Sequence, residues 1–381
     1  MMKPTILSSA NVIKLIPPTI SKETILQKMV GTRPMREGSI NLSVEEYAHA
    51  SHKKTIVNCY GHGGSGFTTL FGSVDAAIKL FIKTNPSKKS PIRVIGAGCI
   101  GLTAAIELKR QGYQVAGVTA ETLYEIPSWV AAGYFALVSV KTAPQEQESM
   151  NRVGMETFFT YQKIAKGEHA YISQHAVRTL PVYCGHDTES GVEVLEASGL
   201  IPPKKDVILD FGNGVIHPHF FEYCTYFTNG ITVMRQLHAE IKRLNIPLRI
   251  QKIHDFDAVV EPYIFNCSGL GGRELNKDPL MIPVRGHLLA LNEKAGLAHM
   301  NYMIYTKVKQ GEGDEYVYMF PKDSIVTEKH PEGIPCHGIL GGTFMPHVDS
   351  FSLAQQDEID RLAFKKMVDR ASLFFFGKIS K

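Results

Sequence analysis

Gly96, Gly98 and Gly101 stand in G-x-G-x-x-G spacing, and Glu121 follows twenty residues after the last of them. Glycines so spaced let a chain turn sharply after a strand, let backbone N–H groups approach a pyrophosphate, and let a helix pack close to that strand. The carboxylate of Glu121 can accept hydrogen bonds from ribose hydroxyls. Together these residues suit a dinucleotide. The alternative is an ordinary βαβ unit whose glycines serve only a tight turn. Two other stretches carry chemistry. In GTRPMRE, Arg33 sits beside a proline with Arg36 close by. A fixed guanidinium suits bidentate binding of a carboxylate, or it closes a surface or interdomain salt bridge, which is the simpler reading of Arg33 taken alone. In GHGGSGFTT, four glycines fall within six residues, Gly61 to Gly66. Such a loop brings backbone N–H groups against a planar or anionic ligand. No GK[ST] signature is present, so triphosphate hydrolysis is disfavoured. His62 can serve as a base, though a structural histidine inside a glycine turn is the simpler assignment.

The elements that must hold these residues are legible around them. Ile92 to Ile95 reads as a short buried strand, Ile100 to Lys109 as a helix stopped by Gly112, and Gln114 to Thr119 as a second strand. Thr55 to Tyr60 reads as a strand entering the glycine loop, and Phe67 to Phe81 as a helix leaving it. Ser21 to Met29 reads as a short helix capped by Ser21, and GTRPMREGSINLS as a rigid loop. Further helices are expected over Gln145 to Lys166, Thr228 to Leu244 and Asp357 to Phe376. Strands are expected over Val207 to Asn213, Pro247 to Ile253, Tyr263 to Asn266, Ile282 to Asn292, Glu315 to Pro321 and Gly338 to Phe344. The polar run Thr84 to Ser90 is a connector.

At 381 residues, with 44% hydrophobic and 20% charged residues, the chain reads as a soluble globular protein of two domains. A net charge of +4 gives no nucleic-acid surface, and Lys88, Lys89 and Arg93 read as a solvated connection. Six scattered cysteines form no C-x-x-C pair, so neither a zinc site nor a disulfide framework is indicated. Lys14 and Pro17-Pro18 interrupt any signal-peptide core, and no apolar run reaches membrane-spanning length, so a cytoplasmic location is expected.

Taken together, the motifs resemble the D-amino-acid oxidase family of flavoproteins, which includes D-aspartate oxidase and, more distantly, glycine oxidase. VIGAGCIGL is similar to its flavin-nucleotide motif, and VAAGYF to its second flavin loop. NCSGLGG with DPLMIPVRGH resembles its N-C-x-G and R-G-Q region. YVYMFPKD and GILGGTF resemble strands of its substrate domain. GTRPMRE resembles its G-x-R-P-x-R block, and NCYGHGGSGFT its N-Y-G-H-G-G-x-G-x-T block. In that family the last two blocks close the chain, whereas here they open it, so a circularly permuted order is expected, with Thr84 to Ser90 joining the old ends.

The resemblance implies an α/β fold: a Rossmann-like FAD-binding domain from residues 36–135 and 228–280, and a smaller α+β substrate domain with a mixed or antiparallel sheet from 1–35, 136–227 and 281–381. It implies FAD as cofactor. Gly96, Ala97, Gly98, Ile100 and Gly101 would hold the pyrophosphate, with Glu121 and Thr122 at the ribose. Ser128, Ala132 and Gly133 would line the flavin phosphate and ring, and Ser268 and Gly269 the adenosine half. Tyr60, Gly61, His62, Gly63, Gly64 and Thr68 would run along the flavin's pyrimidine edge, where Gly64 would help stabilise charge on the reduced ring. Arg33 would grip the substrate carboxylate, and Tyr318 would lie over the substrate. No metal is implied. The reaction would take the α-hydrogen of an amino acid as hydride to the flavin. The imino acid would then hydrolyse to a 2-oxo acid, and oxygen or another acceptor would reoxidise the flavin, giving hydrogen peroxide in the case of oxygen. A homodimer is compatible. Departures concern the substrate. Asp314 stands where some members have a second tyrosine, Thr122 where a basic residue is usual, and Cys59 where an asparagine is usual. Lys322 binds a second substrate carboxylate or is a surface residue, the safer assignment. A glycine or sarcosine-type amine oxidase and a non-catalytic FAD-binding protein share these motifs.

Overall fold

The structure, a computed structural model, describes residues 11–49, 52–131, 133–137, 142–292, 300–308, 315–346 and 352–379. Two sheets organise it. The first has six strands in the order Leu248–Ile250, Val115–Ala120, Ile92–Ile95, Tyr263–Asn266, His52–Tyr60 and Asn41–His49. Each of the first five is parallel to its neighbours; the last pairs antiparallel with His52–Tyr60. Parallel strands bury both faces, and the side chains divide accordingly. Val57, Val94 and Phe265 join one apolar cluster, while Ile56, Ile95 and Ile264 join another. Helix Leu70–Lys83 packs on strands His52–Tyr60 and Asn41–His49, Cys99–Arg110 packs on the two strands it connects, and Gly230–Arg243 packs beside the second of these helices.

The second sheet is mixed and mostly antiparallel. Its central run is Ile216–Thr228, Val177–Gly185, Met303–Val308, Glu315–Pro321, Gly338–Gly341 and Met281–Leu291. Strand Ile25–Arg36 lies along Met281–Leu291 in an antiparallel ladder. The long helix Leu353–Phe376 covers this sheet through Phe364, Met367, Ala371 and Phe375. It opens on a capping box of Ser352 and Gln355 and stops at Gly377 in the left-handed conformation.

Three expectations are corrected. Ser21 to Met29 is not a helix, because Ile25 already pairs with Leu291 and the strand continues to Arg36. Eleven cross-strand pairings outweigh a weak helical preference. Gly31 to Arg36 of GTRPMRE is therefore strand and not loop. Pro34 faces Pro283 across the ladder, and its carbonyl turns away to accept the Gly63 N–H at 2.8 Å. Arg93 is not part of a solvated run: it is buried against Glu261, although Lys88 and Lys89 are exposed. Among the described residues no helix is long and apolar enough to cross a membrane.

Candidate active site

The turn at Gly96 is built by backbone bonds on both sides. Gly96 N–H donates to Thr119 O at 2.8 Å, and Cys267 N–H to Ile95 O at 2.9 Å. Gly96 has φ +107°, and a Cβ there would lie 2.2 Å from Cys267 O. A Cβ on Gly101 would lie 2.0 Å from Gly96 O, so Gly101 lets the helix press onto the turn. Gly98 meets only Ser128 Oγ, at 3.2 Å. That hydroxyl accepts the Cys99 N–H at 3.1 Å, at the N-terminus of the helix. The turn thus presents a helix end, with its partial positive charge, to open space.

That space is a cavity of about 570 Å³ running between the two sheets' contributions. Gly96, Ala97, Gly98 and Ile100 form one part of its wall, with Glu121, Thr122 and Ser128 beyond them. Ser268, Gly269 and Gly133 face it from other connections. Tyr60, His62, Gly63, Gly64 and Thr68 also line it, as do Arg33 and Tyr318. Of the residues singled out from the sequence, Gly101 and Gly61 lie behind the wall. Gly101 supports the turn, and Gly61 holds φ +88° where a Cβ would strike Arg36. Ala132 and Asp314 lie outside the described residues. Glu121 has Lys252 Nζ 3.4 Å from its carboxylate, a neighbour that spacing alone did not indicate.

The glycine loop and the arginine strand are bonded to each other. Besides the Gly63–Pro34 bond, His62 forms an isolated antiparallel bridge with Met35. His62 is buried, its Nε2 has no hydrogen-bond partner, and burial lowers its pKa to about 4.

Arg33 sits in a clamp of its own. Its guanidinium lies against Gly286, where a Cβ would come within 2.3 Å of Nη1, and under the Phe344 ring at 4.4 Å. Nη1 donates to Thr343 O at 3.1 Å and Nη2 to Tyr318 Oη at 3.2 Å. Among the described residues no carboxylate pairs with it. Gly286, Phe344, Tyr305 and Phe320 were not singled out beforehand. The alternation in YVYMF was the available signal, since it puts Tyr318 and Phe320 on one face, where they stack at 5.1 Å.

Lys322 is not a surface residue, nor does it reach the cavity. Its side chain is buried, and Nζ donates to Trp129 O at 3.2 Å and Val130 O at 3.1 Å. Burial pushes its pKa down to about 8. The unfolded chain keeps that proton to about pH 10.4, so between these values it binds more protons than the folded chain and folded stability rises with pH. Relative to a Lys322→Met variant, the parent protein is expected to gain up to about 3 kcal/mol across that window. Urea unfolding of both proteins at pH 7 and pH 10 measures the change; a constant gap contradicts it.

The profile of a family described as FAD dependent oxidoreductase matches residues 92–372 of the chain. A D-amino-acid oxidase of Streptomyces coelicolor is 25% identical over 252 residues, covering 66% of this chain and 68% of its own. Among solved structures, the deglycating fructosamine oxidase Amadoriase II of Aspergillus fumigatus is 16% identical, covering 69% of this chain and 68% of its own with a TM-score of 0.46. The L-amino acid deaminase of Proteus vulgaris is 11% identical, covering 73% and 66% with a TM-score of 0.41.

Proposed function

Because the chain belongs to the FAD dependent oxidoreductase family, whose profile spans residues 92–372, we propose that it oxidises the CH–NH2 group of a D-amino acid to an imino acid that hydrolyses to a 2-oxo acid. The single observation behind this is Arg33, a cation with no carboxylate partner among the described residues, clamped on the wall of the same cavity that the dinucleotide turn lines. The residues present fit FAD. The glycine cradle and the helix end at Cys99 offer what a pyrophosphate and a ring edge need. Gly96 to Ile100 would hold the pyrophosphate, Glu121 the ribose, and Gly63 and Gly64 the flavin ring. Bound FAD supplies the two-electron acceptor. Arg33 binds and orients the substrate carboxylate, Tyr318 supports it, and the aromatic side chains beside them displace water from the reacting centre.

The substrate side chain follows from the wall around Arg33. Tyr305, Phe320, Ile339 and Leu288 line it, while the amine of Lys322 is spent on two backbone carbonyls. A neutral apolar side chain is favoured over a second carboxylate. Mixing the yellow holoenzyme without oxygen with D-alanine, D-phenylalanine, D-aspartate, glycine, sarcosine and the L-enantiomers tests all of this. Bleaching by neutral D-amino acids alone is expected. Bleaching only by glycine or sarcosine moves the reading to those amines, and colour that nothing bleaches leaves a non-catalytic flavoprotein.

The same reading includes a permuted chain order and the domain division 36–135 with 228–280. Two facts support it. The family profile begins at Ile92, the first residue of the nucleotide strand, and the G-x-R-P and Y-G-H-G-G blocks lie in the unmatched residues before it yet line the same cavity.

A further inference from the structure

Arg33 is held from one side of strand Met281–Leu291, and that strand is bolted from the other. Successive strand residues point to opposite faces. Gly286 receives the guanidinium, while Arg285 and His287 on either side of it both reach Asp360 on the helix Leu353–Phe376. His287 is completely buried. Its Nε2 lies 2.9 Å from Asp360 Oδ1, and its Nδ1 lies 2.8 Å from Thr343 Oγ1. Burial lowers the pKa of the imidazole against the opposing pull of Asp360.

With a neutral imidazole the hydrogen bonds close in one arrangement. An ionised carboxylate only accepts, so Nε2 carries the proton and donates to Asp360. Nδ1 is then an acceptor, and the Thr343 hydroxyl donates to it. The same hydroxyl oxygen accepts the His287 backbone N–H at 2.8 Å. Thr343 is thereby fixed through its side chain, and its carbonyl is the acceptor for Arg33 Nη1. Its neighbour Phe344 supplies the ring over the guanidinium.

We propose that His287, oriented by Asp360, is a positioning residue for the Arg33 clamp, so that the last helix sets the affinity of the site for a carboxylate. The inference rests on the reading of Arg33 as the carboxylate clamp. His287 touches neither the cavity nor the reacting atoms; it acts through Thr343.

Benzoate is a suitable probe, with a carboxylate for Arg33 and a ring for the aromatic wall, read by its perturbation of the flavin absorbance. In the holoenzyme, His287→Leu is expected to raise the benzoate Kd and the substrate KM about tenfold or more, because a small misplacement of an orienting group is costly. The limiting rate of flavin reduction changes by less than about twofold, since groups at the reacting centre are untouched. His287→Gln, whose amide can donate to Asp360 and accept from Thr343, is expected to restore both constants. An unchanged Kd in a His287→Leu protein that holds FAD overturns the proposal. If that protein does not hold FAD, Thr343→Val decides: it keeps the carbonyl and removes the hydroxyl, and an unchanged Kd there overturns the proposal equally. Arg33→Ala separates the two readings. Benzoate binding that survives Arg33→Ala removes the clamp itself, whereas binding lost there but intact in His287→Leu removes only the role of His287.

Discussion

Arg33→Ala is expected to raise the substrate KM at least about a hundredfold while the protein stays yellow. A bidentate guanidinium–carboxylate contact in a desolvated site is worth several hydrogen bonds to a charged group, at about 1.5–3 kcal/mol each, and about 1.4 kcal/mol is a factor of ten. The structure explains why the loss should be confined to substrate. Arg33 lines the same cavity as the dinucleotide turn but makes none of the bonds that build that turn. Its own partners are a carbonyl, a tyrosine hydroxyl, the face of Phe344 and the backbone of Gly286. None of them is a charged group that the alanine would strand. Folded stability should therefore hold or rise slightly, the usual relation between a binding charge and the fold that carries it. Arg33→Lys should recover little, because an ammonium cannot form the two-pronged contact or lie flat between Gly286 and Phe344. Substrate titrations of flavin bleaching give the constants. A parent-like KM in Arg33→Ala removes the arginine from the site.

The nucleotide unit was legible because its logic is local. Strand, glycine turn, helix and second strand run consecutively from Ile92 to Ala120, and each boundary is set by residues within a few positions of it. Tyr263–Asn266 and Glu315–Pro321 were likewise legible as strands from their composition and flanking turns. What was misread depends on residues far away in the chain. Ile25–Arg36 is a strand only because Met281–Leu291 lies beside it, and nothing near Ser21 announces that partner. Val177–Gly185 pairs along the second half of Ile216–Thr228, and its proline and exposed arginine blurred any alternation. Lys322 follows a strand and looked solvent-facing by type; two carbonyls of the Trp129–Val130 turn capture it. For Arg33 only a family likeness pointed to the carboxylate, because the setting of its guanidinium, a glycine on a neighbouring strand and a phenylalanine more than three hundred residues on, has no local signature.

Gly98→Ala and Gly101→Ala are expected to fail in opposite ways, although both break the same motif. A methyl group on Gly101 falls 2.0 Å from the Gly96 carbonyl, with Cys267 Cβ at 3.3 Å behind it. Both obstacles are packed core, so the helix Cys99–Arg110 must lift off the strand. That is overpacking against backbone, and a loss of about 3 kcal/mol or more of apoprotein stability is expected. Gly98 is different. Its φ of −74° and ψ of 175° suit any residue, and its methyl meets only the Ser128 hydroxyl at 3.2 Å. The chain can absorb that, so apoprotein stability should move by less than about 1 kcal/mol. The methyl would instead stand in the cavity before the helix N-terminus, where the pyrophosphate must approach the backbone. The FAD Kd is expected to rise at least about tenfold, because the lost contacts are charge-assisted hydrogen bonds. Urea unfolding of the flavin-free proteins and FAD titration by fluorescence quenching separate the two effects. If Gly98→Ala bound FAD as the parent does, the pyrophosphate would not lie on this turn, and the family motif would be serving only the packing that Gly96 and Gly101 already explain.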